Sequence, residues 1–410
     1  MRIFGIISLF YFLFLAMGCD LNSGGNVISS DGLTVKNLWR RSKVVDKNTL
    51  VVTYGTRQRP ALQPEGLFTL GDAPHLQKRP MLLDRKTGAV KWRAGDEAII
   101  SGISEVYQYG DVVVMNIGRD LLALNIKTGK VVWKNKREYE ETSFGNSTVK
   151  GLGGGEYFTA DGSKILMGRV SDGVERVVTV LKKQDPLTTR GPGANNSTVP
   201  LISANGDTLL VIAQDEYNAQ TQRSKYYMKV YNLTQKREES IYEIGESVRF
   251  GPAMGYGKMH KGYFIATHEH FILSINPFTG KVRWKISPGT VQSMYDGQFT
   301  IVDDLLIIAN GEVAGHVYGI DVATGELRWK TPRIGDVSSP FVMDGVIYVT
   351  GKGKGILTAM DVKTGKILLE LSCPEKKDGV VFSTTPVVGE NGIIYFDSER
   401  STYAYEVKRE

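Results

Sequence analysis

Asp84-Arg85-Lys86-Thr87-Gly88-Ala89-Val90-Lys91-Trp92 decides the architecture, because the same pattern returns at Asn125 to Trp133, Asn276 to Trp284 and Asp321 to Trp329. A further copy, Asp361 to Leu369, places Leu where the others have Trp. The leading Asp or Asn carries a side-chain oxygen that can take the backbone donors of the following turn. The Thr-Gly step then supplies the positive φ required by a type I turn with a left-handed bulge residue, at Gly88, Gly129, Gly280, Gly325 and Gly365. Beyond the turn, strand alternation pairs Val90 with Trp92, Val131 with Trp133, Val282 with Trp284, Leu327 with Trp329 and Ile367 with Leu369 on one face. Lys91, Arg93, Arg283, Lys285, Arg328 and Lys330 fall on the other. A strand that is dry on one side and wet on the other is the outermost strand of a sheet.

Working outward, Trp39 sits in Asn37-Leu38-Trp39-Arg40-Arg41, an outer-strand sequence without its preceding turn. The last stretches, Gly392 to Phe396 and Thr402 to Val407, read as inner strands without an outer one, so the N-terminal strand can complete the C-terminal sheet. Outer strands then lie at Trp39, Trp92, Trp133, Val177 to Leu181, Glu238 to Tyr242, Trp284, Trp329 and Leu369. A spacing of about 40 to 45 residues per repeat is that of a four-stranded propeller blade. The expected fold is all-β: an eight-bladed β-propeller of four-stranded antiparallel blades, closed by pairing the N-terminal strand with the C-terminal blade. Seven blades is the alternative if 149–183 is irregular. The 46 glycines and 19 tyrosines suit many short strands joined by tight turns.

The N-terminus has the layout of a bacterial secretion signal: Arg2, an apolar run from Ile3 to Ala16, then small or flexible residues before Cys19. Leu15-Ala16-Met17-Gly18-Cys19 resembles the lipobox of bacterial lipoproteins, and the resemblance implies acylation of Cys19. The apolar run is short for the roughly 20 residues a bilayer span requires. The expected organisation is a signal peptide at 1–18, a flexible tether at 19–32 and the propeller at 33–410. The tether from Asp20 to Gly32 would reach at most about 45 Å. Cys373 is the other cysteine of the chain, so the mature protein has no pair of unmodified thiols to join, and a buried free thiol is expected there. A net charge of +6 is mild for 410 residues and hints at an anionic surface or partner without calling for nucleic acid.

The Asp-x-x-Thr-Gly-x-x-x-Trp pattern resembles the repeat of the PQQ-like, quinoprotein-type propellers, which the BamB-like envelope lipoproteins share. The resemblance runs from about Leu33 to the end. It implies a monomeric propeller scaffold, lipid-anchored in the bacterial cell envelope with the outer membrane favoured over the inner, whose partners are envelope proteins such as β-barrel assembly components. One alternative is a quinoprotein dehydrogenase using PQQ and calcium; the adjacent cysteines that the family places over its cofactor are absent here, and no calcium ligand or catalytic Asp can be carried onto a numbered position. Another is glycan or peptide recognition at the central mouth. Under the leading reading no cofactor, metal or catalytic residue is assigned.

Remaining candidates are weighed as follows. His268 and His270 would share a strand face, yet no third metal ligand is evident. Gly151 to Gly155 and Gly351 to Gly355 lack the Lys-Ser/Thr ending of a phosphate loop and read as hairpin or loop glycines. Three long interruptions could carry binding specificity: 56–79, 134–149 and the polar extension 214–225. The first, with Arg57, Arg59, Lys78 and Arg79, is the preferred partner contact.

Overall fold

The computed structural model describes residues 27–30, 32–42, 61–63, 66–72, 78–95, 103–117, 120–136, 149–161, 163–182, 184–187, 190–194, 199–202, 206–247, 254–268, 271–287, 299–310, 315–335, 337–351, 355–378, 381–382, 387–398 and 401–409. These form eight antiparallel sheets, with one short 3-10 turn at Lys376–Asp378. Seven blades follow in chain order: blade 1 (61–93), blade 2 (103–135), blade 3 (150–180), blade 4 (190–247), blade 5 (254–286), blade 6 (299–330) and blade 7 (341–372). Blade 8 joins Val388–Glu390, Ile393–Asp397 and Ser401–Arg409 to the N-terminal strand Leu33–Ser42. That strand pairs along its length with the last one, from Leu33 opposite Arg409 to Ser42 opposite Ser401.

The turn chemistry read from the repeat is present. In blade 2 the Asn125 side chain accepts from the Lys127 and Thr128 amides at 3.0 and 3.1 Å, while Gly129, at φ 72°, donates to the Asn125 carbonyl at 2.8 Å. The turn also receives the preceding blade. Trp92 donates its Nε1 to the Ile126 carbonyl at 2.6 Å, and Trp39, Trp133, Trp284 and Trp329 do the same to Arg85, Val170, Val322 and Val362. Tyr242 substitutes in blade 4, its hydroxyl donating to Phe278 O of blade 5 at 2.7 Å. Leu369 lacks a donor for a reason the topology supplies. The strands of blade 8 that would flank the matching turn come from opposite ends of the chain, so no turn carbonyl awaits an indole. Arg409 joins those two blades instead, bonding Gly345 O at 3.2 Å and the Asp361 carboxylate at 2.7 Å.

Apolar clusters fill the spaces between blades, as with Leu82 of blade 1 among Val113, Met115, Leu122 and Leu124 of blade 2. Others join blades 2 and 3, 3 and 4, 4 and 5, 5 and 6, 6 and 7, and 7 and 8. Blade 8 returns to blade 1 through Trp39, Tyr395, Met81 and Leu83.

Several expectations are corrected. Every outer strand carries an extra residue, two in blade 4 at Glu239 and Ile244, and these β-bulges break two-residue alternation. Val282 and Leu327 are therefore exposed although Trp284 and Trp329 are buried. Val27–Ser30, within the stretch expected as tether, forms a fifth strand outside Leu33–Lys36. The interruption at 56–79 supplies blade 1, with strands Ala61–Gln63 and Gly66–Asp72, and Lys78 and Arg79 open the next strand opposite Asp72 and Gly71. The extension at 214–225 is a hairpin as expected, with Asn218 opposite Arg223.

The turn carboxylates tie stability to pH. Arg328, bonded at 2.7 Å, and the Thr324 amide lower the Asp321 carboxyl to about 2. Because this group titrates lower folded than unfolded, its contribution is full above about pH 4 and disappears as pH falls toward 2. Replacing Asp321 by Asn should flatten the acid limb of a urea-midpoint profile between those values, by less than about 1 kcal/mol for so exposed a pair. An unchanged acid limb would remove the carboxylate from the account.

Candidate partner-docking surface

The sequence-selected positions are dispersed. Cys19, Arg57, Arg59 and His270 lie outside the described residues, as do 352–354; Lys78, Arg79 and His268 are described by backbone alone. Cys373 is a buried free thiol whose Sγ lies 3.9 Å from the Tyr403 hydroxyl, and burial raises its pKa. His316 bonds the Thr331 carbonyl through Nδ1 at 2.8 Å. Among the described residues no three His, Cys, Asp or Glu side chains converge as a metal site. The Gly151 to Gly155 run is occupied by rings from blade 2. A Cβ on Gly151 would stand 2.0 Å from Tyr107, and one on Gly155 would stand 2.9 Å from Tyr109. Gly151 and Gly155 let the inner strands of blades 2 and 3 approach across tyrosines, while Gly153 and Gly154, at φ 86° and 60°, turn the hairpin as expected.

What sequence reasoning missed lies on blade 3 and its connection to blade 4. Val174, Val177 and Val180, on and beside the outer strand Glu175–Val180, are 57, 53 and 49% exposed, and Leu187 in the connection is 62% exposed. Val132 of the neighbouring blade 2 is exposed as well. The other large exposed aliphatics, Val282 and Leu327, stand singly beside Arg283 and Arg328. Scattered exposed valines are ordinary; three along one edge with a leucine on its connector make this the candidate contact surface.

The connector is held against blade 4. Glu216, buried on the long hairpin of blade 4, accepts from the backbone amides of Gln184 at 2.7 Å and Asp185 at 2.9 Å, and from Gln214 Nε2 at 2.7 Å. Asp185 accepts the Leu187 amide at 2.9 Å and pairs with Lys225 at 3.1 Å. The Leu187 amide and Lys225 lower the Asp185 pKa. A buried carboxylate spent on two loop amides fixes that loop against the hairpin, since charge-assisted bonds in a poorly solvated position are the strong ones. The signal was faint in sequence, because Glu216 and its amide partners lie 31 and 32 positions apart.

The profile of the family described as "Outer membrane protein assembly factor BamB" matches residues 23–244 and 263–409. No curated protein matches the chain in sequence. Among solved structures, BamB from Moraxella catarrhalis is similar over 92% of this chain and 98% of its own, at 14% identity and TM-score 0.58. The quinohemoprotein alcohol dehydrogenase ADHIIG from Pseudomonas putida HK5 is similar over 91% of this chain and 76% of its own, at 10% identity and TM-score 0.61. Sqt1 of Saccharomyces cerevisiae is similar over 93% of this chain and all of its own, at 10% identity and TM-score 0.61. At such identities the structural likeness speaks to the propeller fold and not to activity.

Proposed function

The chain belongs to the family of the outer membrane protein assembly factor BamB, and from that membership we propose that it is a lipid-anchored binding scaffold of the bacterial cell envelope rather than an enzyme. Its partners are envelope proteins of the β-barrel assembly machinery. Acylated Cys19 holds it at the outer membrane, and blade 3 with its connector is the docking surface. The observation that carries the reading is the exposure of Val174, Val177 and Val180 along the outer edge of blade 3, with Leu187 exposed on the connector pinned by Glu216. Immobilising the connector before binding reduces the ordering cost of association.

The test is crosslinking in native cells followed by affinity purification of the lipidated protein. Barrel-assembly components should be recovered with the wild type, and Leu187→Asp should lower their recovery about tenfold, equivalent to about 1.4 kcal/mol. Full recovery with the variant would remove Leu187 from the contact. Cys19→Ala should move the protein into the soluble fraction, and retention in the membrane would count against the anchor.

A further inference from the structure

We propose that the propeller parts between blades 3 and 4, opening on the side of the repeat turns and pivoting on the connector at the other end of the same junction. Elsewhere the turn side is fastened. In blades 1, 2, 5 and 6 the indole stands opposite the residue two before the blade's own turn, as Trp92 opposite Leu82 and Trp133 opposite Ala123, and it bonds a carbonyl of the next blade's turn. Each indole also rests on that turn's glycine, so closely that a Cβ on Gly129 or Gly173 would stand 2.5 or 2.6 Å from Trp92 or Trp133. Blade 8 does the same with Trp39 and Gly88. Blade 4 reaches the turn of blade 5 with the Ser240 hydroxyl on Pro277 O at 2.8 Å and with Tyr242, and Arg409 bonds blade 8 back to blade 7.

Between blades 3 and 4 both the ring and its seat are missing. The ring's register position is Arg176, opposite Met167 two residues before the turn that begins at Arg169, and its guanidinium turns to the Met167 sulfur of its own blade at 3.1 Å. The glycine's position, fourth after Asn232, holds Lys236 at φ 56°, which carries a Cβ where a ring would rest. Among the described residues this is the one junction at which no side chain fastens the turn side to the neighbouring blade's turn. Its middle is apolar, with Ile165, Leu181, Leu210 and Ile212, and Tyr231 reaches back to the Val178 carbonyl at 3.4 Å, beyond the usual length of such a bond. The connector end is fastened firmly instead. Gln214 donates to Lys182 O at 3.0 Å, Glu216 holds the Gln184 and Asp185 amides, and Lys225 pairs with Asp185, all from the long hairpin of blade 4 to the stretch that leaves blade 3. A junction fastened at one end and unfastened at the other moves as a hinge, and its opening bares the half-buried Val178 and Leu233 at the margin of the cluster.

Distances between paired spin labels on the full-length protein test this, the labels being carried by introduced unnatural amino acids so that Cys19 and Cys373 are untouched. One pair, at the exposed positions Ser171 and Gln235, spans the turn side of the junction, and a second, at Leu187 and Gln220, spans its connector side. A third pair, at Ala323 and Lys363, spans the fastened turns of blades 6 and 7. The first distance distribution should be at least about twice as wide as the third and extend to longer distances, while the second stays as narrow as the third. Arg176→Trp combined with Lys236→Gly supplies ring and seat, and should narrow the first distribution to the width of the third. Three equally narrow distributions in the otherwise unaltered protein would overturn the proposal whether or not the double variant folds. Broadening at both ends of the junction would overturn the hinge, and a folded double variant whose first distribution stays wide would overturn its cause. The measurement uses no partner, so its outcome is separate from that of the docking surface.

Discussion

Replacing Gly129 by alanine is expected to destabilise the propeller by about 3 kcal/mol, while Gly262→Ala costs about 1 kcal/mol. Both glycines have positive φ, 72° and 79°, so both substitutions force an L-residue into the left-handed region. Only Gly129 has a second duty. A Cβ there would stand 2.5 Å from Trp92 Cε3 and 2.8 Å from Cδ2, whereas one on Gly262 meets nothing within 4 Å. The indole cannot retreat freely, because it bonds the Ile126 carbonyl and packs in the cluster around Leu82 and Leu124. Overpacking of about 1 to 3 kcal/mol is then added to the backbone cost. Urea midpoints of the two variants, with slopes held equal, measure the difference. Equal losses at both positions would show that the indole seat contributes nothing and that the turn glycine serves backbone geometry alone.

The same seat explains how much of this protein could be read in advance. Five outer strands were legible because the turn and the residue that closes the pattern lie within nine positions, and Trp39 because its flanks match theirs; local chemistry leaves local marks. Even the degenerate ones surfaced: Val177 to Leu181 was expected where Glu175–Val180 forms, and Glu238 to Tyr242 within the longer Arg237–Ser247. Gly173 escaped notice, since Arg169 replaces the Asp or Asn of its turn, yet it seats Trp133 with a Cβ distance of 2.6 Å. The bulges were invisible because an inserted residue shows only against its partner strand. The proposed docking surface was missed for a related reason. Val177 looks like any strand valine until the blade beside it is known, and the hold of Glu216 on the Gln184 and Asp185 amides joins residues that no pattern links. Thr56 to Arg79 was read as a loop because blade 1's inner strands, Ala61–Gln63 and Gly66–Asp72, lack an obvious apolar run.

Glu375→Ala should cost about 3 to 4 kcal/mol, because it removes the acceptor around which blade 8 is fastened. Glu375 is buried just beyond blade 7. Its carboxylate accepts from Arg40 Nη2 at 2.8 Å, Ser398 Oγ at 3.0 Å, Ser401 Oγ at 3.3 Å and the Tyr403 hydroxyl. Arg40 belongs to the N-terminal strand, Ser401 and Tyr403 to the last one, so one side chain ties both ends of the chain to the end of blade 7. Phe382 and Phe396 pack edge-on and stacked against Tyr403 and keep the site dry, and burial together with the carboxylate pushes the Tyr403 phenol far above its usual range. Removing the carboxylate would leave three hydroxyls and a guanidinium without their common acceptor. Arg40→Ala should cost no more than about 1 kcal/mol, because that side chain is partly exposed and water can replace it. Glu375→Gln keeps an acceptor and should fall between them. The order of the three midpoints tests the account, and a loss under about 1 kcal/mol for Glu375→Ala would refute it. Because the N-terminal strand is the path toward Cys19, its amides should also become the first to exchange in Glu375→Ala, ahead of those in blades 5 and 6, where every strand is contributed by one continuous stretch.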